Sequence, residues 1–117
     1  MKTIKIQRGD IWLINFDPTI GDEIKKQRPA IVINRDIPLG LNLNILVPLT
    51  TWKEEFSQLN WLIKIESSKN NGLDGISAAN CFQVRCVSND RFKAKIGSIE
   101  EEILDEIVNA VAFCIGA

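Results

Sequence analysis

Arg28-Pro29-Ala30-Ile31-Val32-Ile33-Asn34 decides the fold, because the run from Pro29 is apolar without polar alternation and rich in β-branched residues. Such a run is a strand covered on both faces, and it predicts the centre of a sheet. It follows a polar, Lys-rich loop, Gly21-Asp22-Glu23-Ile24-Lys25-Lys26-Gln27. Pro29 cannot donate to a ladder and biases Arg28 toward extended geometry, so the guanidinium is expected at the mouth of the sheet. A planar cation presented there suits an anion, most naturally a phosphate.

Outward from this segment the chain reads as short strands. Asp10 to Phe16 alternates, with Trp12, Ile14 and Phe16 on one face, and Asp17-Pro18-Thr19-Ile20-Gly21 breaks it. After the turn-rich Arg35-Asp36-Ile37-Pro38-Leu39-Gly40, Leu43 to Leu49 forms a third strand ending in the hydroxyls of Thr50 and Thr51. Asn60 to Ile65 is a half-exposed strand, residues 67–75 a loop, and Ile76 to Val87 one long strand. If no bulge intervenes, that strand sets Ser77, Gln83 and Arg85 on one face. Phe92 to Ile96 adds a short strand. Ser98 with Glu101 predicts a capping box for a helix whose stripe is Ile103, Ile107 and Val111 with Leu104, Val108 and Ile115, stopped at Gly116. Short strands, one terminal helix and no βαβ alternation predict a mainly β fold with α, an SH3-like small barrel carrying a C-terminal helix, as a single domain over residues 1–117.

Composition narrows the function. With 117 residues, 45% hydrophobic and 25% charged, and no apolar run of the ~18 residues a span requires, no membrane association is expected. Met1 to Arg8 lacks the apolar core of a secretory signal, so a cytoplasmic location is expected. Cys81, Cys86 and Cys114 have no Cys-x-x-Cys spacing and the chain contains no histidine, so neither a metal site nor a cofactor is expected. The cysteines read as small buried hydrophobes. Net charge is −1, but residues 98–117 hold five acids and no base, which leaves 14 basic and 10 acidic residues, or +4, on the remainder. A basic working face with an acidic helix elsewhere fits that division.

The blocks Arg8-Gly9-Asp10-Ile11-Trp12, Asn15-Phe16-Asp17-Pro18-Thr19-Ile20-Gly21, Arg28-Pro29-Ala30-Ile31-Val32-Ile33, Val47-Pro48-Leu49-Thr50 and Gln83-Val84-Arg85 together resemble the MazF/PemK family of toxins from toxin–antitoxin pairs. The resemblance covers roughly residues 8–115. It implies a CcdB/PemK-type barrel, a homodimer, and a metal-independent, sequence-specific endoribonuclease. On this resemblance Arg28 and Thr50 are catalytic and Glu23 contributes from the loop, while Ser77, Gln83 and Arg85 fall on RNA-binding positions. Phe82 stands where the family carries an acid, and Trp52 opens a divergent loop. Lys25, Lys26 and Arg85 are placed to hold phosphates, and Trp52 or Phe56 to stack on a base. Trp12 and Trp61 read as core or dimer anchors.

Arginine and threonine suit RNA cleavage because attack of the 2′-hydroxyl builds charge on the non-bridging oxygens, where donors lower the barrier. With no histidine, proton transfer falls to Glu23 or water, and the products are a 2′,3′-cyclic phosphate and a 5′-hydroxyl. The implied partners are single-stranded RNA and an acidic antitoxin, with DNA reached only through the antitoxin complex. The alternatives on the same barrel are a non-catalytic gyrase poison of the CcdB type and an inactive RNA- or partner-binding module.

Overall fold

The computed structural model describes residues 5–36 and 40–117. The start of the chain and the Arg35–Gly40 turn therefore lie partly outside the described residues. Among the described residues seven strands precede one α-helix: β1 Asp10–Asn15, β2 Gln27–Val32, β3 Leu43–Thr51, β4 Leu62–Ile65, β5 Ser77–Asn80, β6 Arg85–Ser88, β7 Phe92–Ser98 and α1 Glu101–Ile115. All pairings are antiparallel, in the order β4-β5-β3-β2-β1-β7 with β6 also on β3. The fold is mainly β with a C-terminal helix, as the sequence predicts. The barrel is open, since the end strands β4 and β7 do not pair among the described residues.

β2 is interior and apolar on both faces because two cores meet there. Ile31 packs with Ile11, Val47, Leu49, Ile65, Ala79 and Cys81 beneath Leu104, Ile107 and Ala110 of α1. Ala30 and Val32 pack on the opposite face with Trp12, Ile14, Phe16, Leu46, Val87 and Phe92. The predicted face of β1 is thus present. Trp12 meets Phe92 edge-on at 5.5 Å and its indole donates to the buried Asp10 carboxylate at 3.2 Å. Lys95 Nζ lies 3.4 Å from the same carboxylate, which compensates its burial.

Four expectations are corrected. The long strand from Ile76 to Val87 is broken by a 3₁₀ turn at Cys81–Gln83. Leu46 pairs with Arg85 and Leu49 with Ala79, so three steps along β3 face six along the partner, and three residues are looped out. The alternation that would unite Ser77 with Gln83 and Arg85 is lost there. Cys86 consequently faces solvent, whereas Cys81 is fully buried. Burial, with Cys114 nearby, pushes the Cys81 thiol up to about 12, so it behaves as an inert hydrophobe.

The other two corrections concern the helix. Its N-cap is Glu100, without a side-chain cap bond, because Ser98 is held in the β7 ladder opposite Asp10. The local capping signature loses to tertiary pairing. Ile115 is 67% exposed, as the buried stripe ends at Ala110. Gly116 does stop the helix, at φ 77°, a left-handed conformation that glycine adopts without a Cβ penalty. No helix among the described residues is long and apolar enough to cross a membrane.

Candidate active site

The site originates where β2 and β3 part. Their ladder spans only Ala30–Val32 against Leu46–Pro48. Pro29 and Pro48 flank its end, and neither can donate a backbone hydrogen bond. Beyond that point β2 pairs only with β1, Arg28 opposite Ile14, while β3 turns to β5 with Thr50 opposite Ala78 and Thr51 opposite Ser77. A cleft of about 450 Å³ opens between the two strands. Arg28 and Thr50 each lie two residues beyond the Ala30–Pro48 pair, in step along the pleat of their own strands, and both line this cleft.

Arg28, Pro29, Thr50, Thr51 and Ser77 line this cleft, with Leu73 to Ile76 forming its far wall. Arg28 is exposed and Thr50 half-buried on a rigid strand end. Among the described residues the one ion pair is Lys95 with Asp10, so the guanidinium fork is free for a ligand. A cation with five fixed donors beside a hydroxyl is a set suited to an anionic oxygen group.

Glu23, Gln83 and Arg85 fall in a second cleft, of about 500 Å³, with Asp22, Phe82 and Val84. There Gln83 fastens the β1–β2 loop: Ile24 N–H donates to its Oε1 at 2.6 Å, and its Nε2 donates to the Asp22 carbonyl at 3.3 Å. Glu23 Oε1 accepts from Ile20 N–H at 2.6 Å within that loop. Arg85 lies 5.6 Å from the Phe16 ring centroid, a cation–π contact. Arg91, which sequence reasoning passed over, donates to the carbonyls of Asn15 at 3.1 Å and Asp17 at 2.7 Å and ties the loop's base to the sheet. Lys25 and Lys26 are exposed on the loop so held, Lys26 at φ 67° with its N–H bonded to Asp17 Oδ1 at 3.0 Å.

Trp52 sits just past the cleft, its N–H donating to the Ile76 carbonyl at 3.1 Å. Its ring is already engaged, by Phe56 edge-on at 5.8 Å and by Lys64 Nζ at 5.4 Å from the centroid. Phe56 therefore packs in a small satellite with Trp52 and lies outside the two sheet cores. Trp61 packs against the helix-side core and meets Phe82 at 6.1 Å.

The sequence reading also passed over Asp74, the one carboxylate lining the Arg28–Thr50 cleft among the described residues. An Asn/Gly-rich loop offers no local signal for it, because only tertiary packing carries that loop to the cleft. Among the described residues no group of three or more potential metal ligands forms.

The chain and its fold are similar to known proteins. The chain is 28% identical over 112 residues to the endoribonuclease MazF9 of Mycobacterium tuberculosis, covering 91% of this chain and 92% of that protein. Its fold is similar to the crystal structure of MazF from Deinococcus radiodurans, at a TM-score of 0.81 and 18% identity over 98% of this chain and all of that one. It is also similar to a mycobacterial endoribonuclease in complex with its cognate antitoxin, at a TM-score of 0.72 and 14% identity over 96% of each chain. The model of the PemK-like, MazF-like toxins of type II toxin–antitoxin systems matches residues 7–115, and the chain belongs to that family.

Proposed function

We propose that this toxin-family endoribonuclease cuts single-stranded RNA at a specific sequence, by attack of a 2′-hydroxyl on the adjacent phosphorus to leave a 2′,3′-cyclic phosphate and a 5′-hydroxyl. The carrying observation is that Arg28 and Thr50, each two residues past the last β2–β3 pair, line one cleft. Arg28 holds the non-bridging oxygens as they gain charge, and Thr50 adds a hydroxyl donor from a strand end that needs no reorganisation. Duplex RNA is disfavoured because its base edges are inaccessible to an open cleft.

The proposed RNA path leaves the cleft along the β1–β2 loop, where Lys25 and Lys26 contact phosphates and Gln83 and Arg85 maintain the loop's face. Ser77 lies beside the scissile group, and Trp52 stacks on a base once Lys64 moves aside. The reaction proceeds without a metal ion: the chain has no histidine, and the Arg28–Thr50 cleft offers a single carboxylate. The protein acts as one unit over its whole length, as a homodimer in the cytoplasm, and is neutralised by an acidic antitoxin segment that competes with RNA for the Arg28 and Lys25–Lys26 surface. That competition weakens as salt rises.

The test is cleavage of a mixed-sequence RNA by purified protein in excess chelator. Thr50→Val, which retains the β-branched shape, is expected to lower the rate about 10²-fold, the usual loss for one such donor. Cleavage by Thr50→Val at the wild-type rate would remove Thr50 from the mechanism. A second arm uses the same RNA with a 2′-deoxy sugar at each mapped cleavage position. It is expected to survive intact, and its scission would exclude 2′-hydroxyl attack.

A further inference from the structure

We propose that the Asp74 carboxylate is the base that takes the proton from the attacking 2′-hydroxyl. The inference rests on the function proposed above and assigns the one role that Arg28 and Thr50 leave vacant. A guanidinium is protonated at every physiological pH and accepts no proton, and a threonine hydroxyl is no better as a base. Of the described residues lining the cleft between β2 and β3, Asp74 alone is acidic. Glu23 lines the neighbouring cleft, and its Oε1 is bonded to Ile20 N–H at 2.6 Å. Asp74 is exposed and forms no hydrogen bond or ion pair among the described residues, so its oxygens are free to accept.

The loop is anchored just before Asp74. Asn71 is 1% exposed, and its side chain donates to the Glu66 carbonyl at 2.9 Å while accepting from the N–H groups of Ser68 at 2.9 Å and Leu73 at 3.0 Å. Ser98 N–H reaches the Asn70 carbonyl at 3.0 Å, and Leu73 packs against the helix-side core. Gly72, at φ 65°, lies so close to β7 that a Cβ would fall 2.4 Å from the Ile96 carbonyl oxygen. This anchoring reaches Leu73, one residue before Asp74, and so keeps the carboxylate within the cleft wall, as a base beside reacting atoms requires.

The step balances without a co-reactant. Asp74 takes the 2′-proton, the 2′-oxygen bonds to phosphorus, and the bond from phosphorus to the 5′-oxygen breaks. Solvent protonates that leaving oxygen in the open cleft, and Asp74 returns its proton to solvent.

The experiment measures pH–rate profiles of RNA cleavage for the wild type, Asp74→Asn, Asp74→Glu and Glu23→Gln, with melting temperatures as the folding control. The wild type is expected to show an acid limb of slope one. Asp74→Asn is expected to lose at least 10²-fold in kcat with little change in KM and to lose that limb, while Asp74→Glu recovers part of both the rate and the limb. Glu23→Gln retains the limb. Asp74→Asn at the wild-type rate, a slow Asp74→Asn that keeps the acid limb, or loss of the limb in Glu23→Gln each overturns the role of Asp74 while leaving the nuclease reading intact. A wild type that cuts no RNA overturns both.

Discussion

Arg28→Ala is expected to reduce RNA cleavage about 10³-fold or more while leaving the protein folded. The side chain is exposed and has no ion-pair partner among the described residues, so its truncation uncovers no buried charge. Surface substitutions of this kind stay within about 0.5 kcal/mol of wild-type stability. What disappears is the only positive charge lining the cleft among the described residues, at the position where the phosphorane develops its own charge. Transition-state donors of this class contribute about 10² to 10³ when neutral, and a cationic fork contributes more. Arg28→Lys restores charge but not two parallel donors, so it is expected to recover only part of the loss. Single-turnover cleavage beside a melting curve checks both halves. A folded Arg28→Ala that cuts RNA as fast as the wild type would dismantle the proposed mechanism at its first step.

Gly97→Ala is the second large effect, and it acts on stability. Gly97 lies in β7 opposite Ile11, and the loop from Glu66 to Leu73 crosses directly over it. An added Cβ would stand 2.4 Å from the Asn70 carbonyl oxygen, 2.6 Å from the Asn71 carbonyl carbon and 2.7 Å from its oxygen. These are backbone atoms, so no rotamer change relieves the clash. The loop must lift, which breaks the Ser98 to Asn70 hydrogen bond and exposes the buried amide network of Asn71. Overpacking together with a lost polar network costs about 3 kcal/mol, or roughly 10 °C in melting temperature for a chain of this size. Cleavage should fall as well, because the same loop forms the far wall of the Arg28–Thr50 cleft. Thermal and urea melts decide this, and an unchanged midpoint would show that the crossing is looser than its geometry implies.

The glycine is instructive because nothing in Lys95-Ile96-Gly97-Ser98 announces it. It directly follows a strand-like run, and only the loop laid across it makes the absence of a Cβ necessary. Asp74 was hidden for the same reason. The break at Cys81–Gln83 was hidden differently: Cys81-Phe82-Gln83-Val84 alternates well enough to extend a strand, and the three looped-out residues follow from β3 holding β5 and β6 at different offsets. Ser98 and Glu101 form a sound capping pattern, yet the ladder to Asp10 claims Ser98 first. In each case a short-range preference worth about 1 kcal/mol met a long-range constraint that was stronger.

The alternation of β1, the doubly apolar β2, the glycine stop of the helix and the free arginine ahead of Pro29 were determined by residues a few positions apart, and so could be read from the chain itself. Which polar groups share a cleft was decided only when the strands paired. Register and the parting of β2 from β3 join Arg28, Thr50, Ser77 and Asp74, while the slip along β3 sends Gln83 and Arg85 to another cleft beside Glu23. Local sterics and solvation act within a few bonds. A cleft is made of groups brought together across the sheet, and no spacing along one strand encodes that distance.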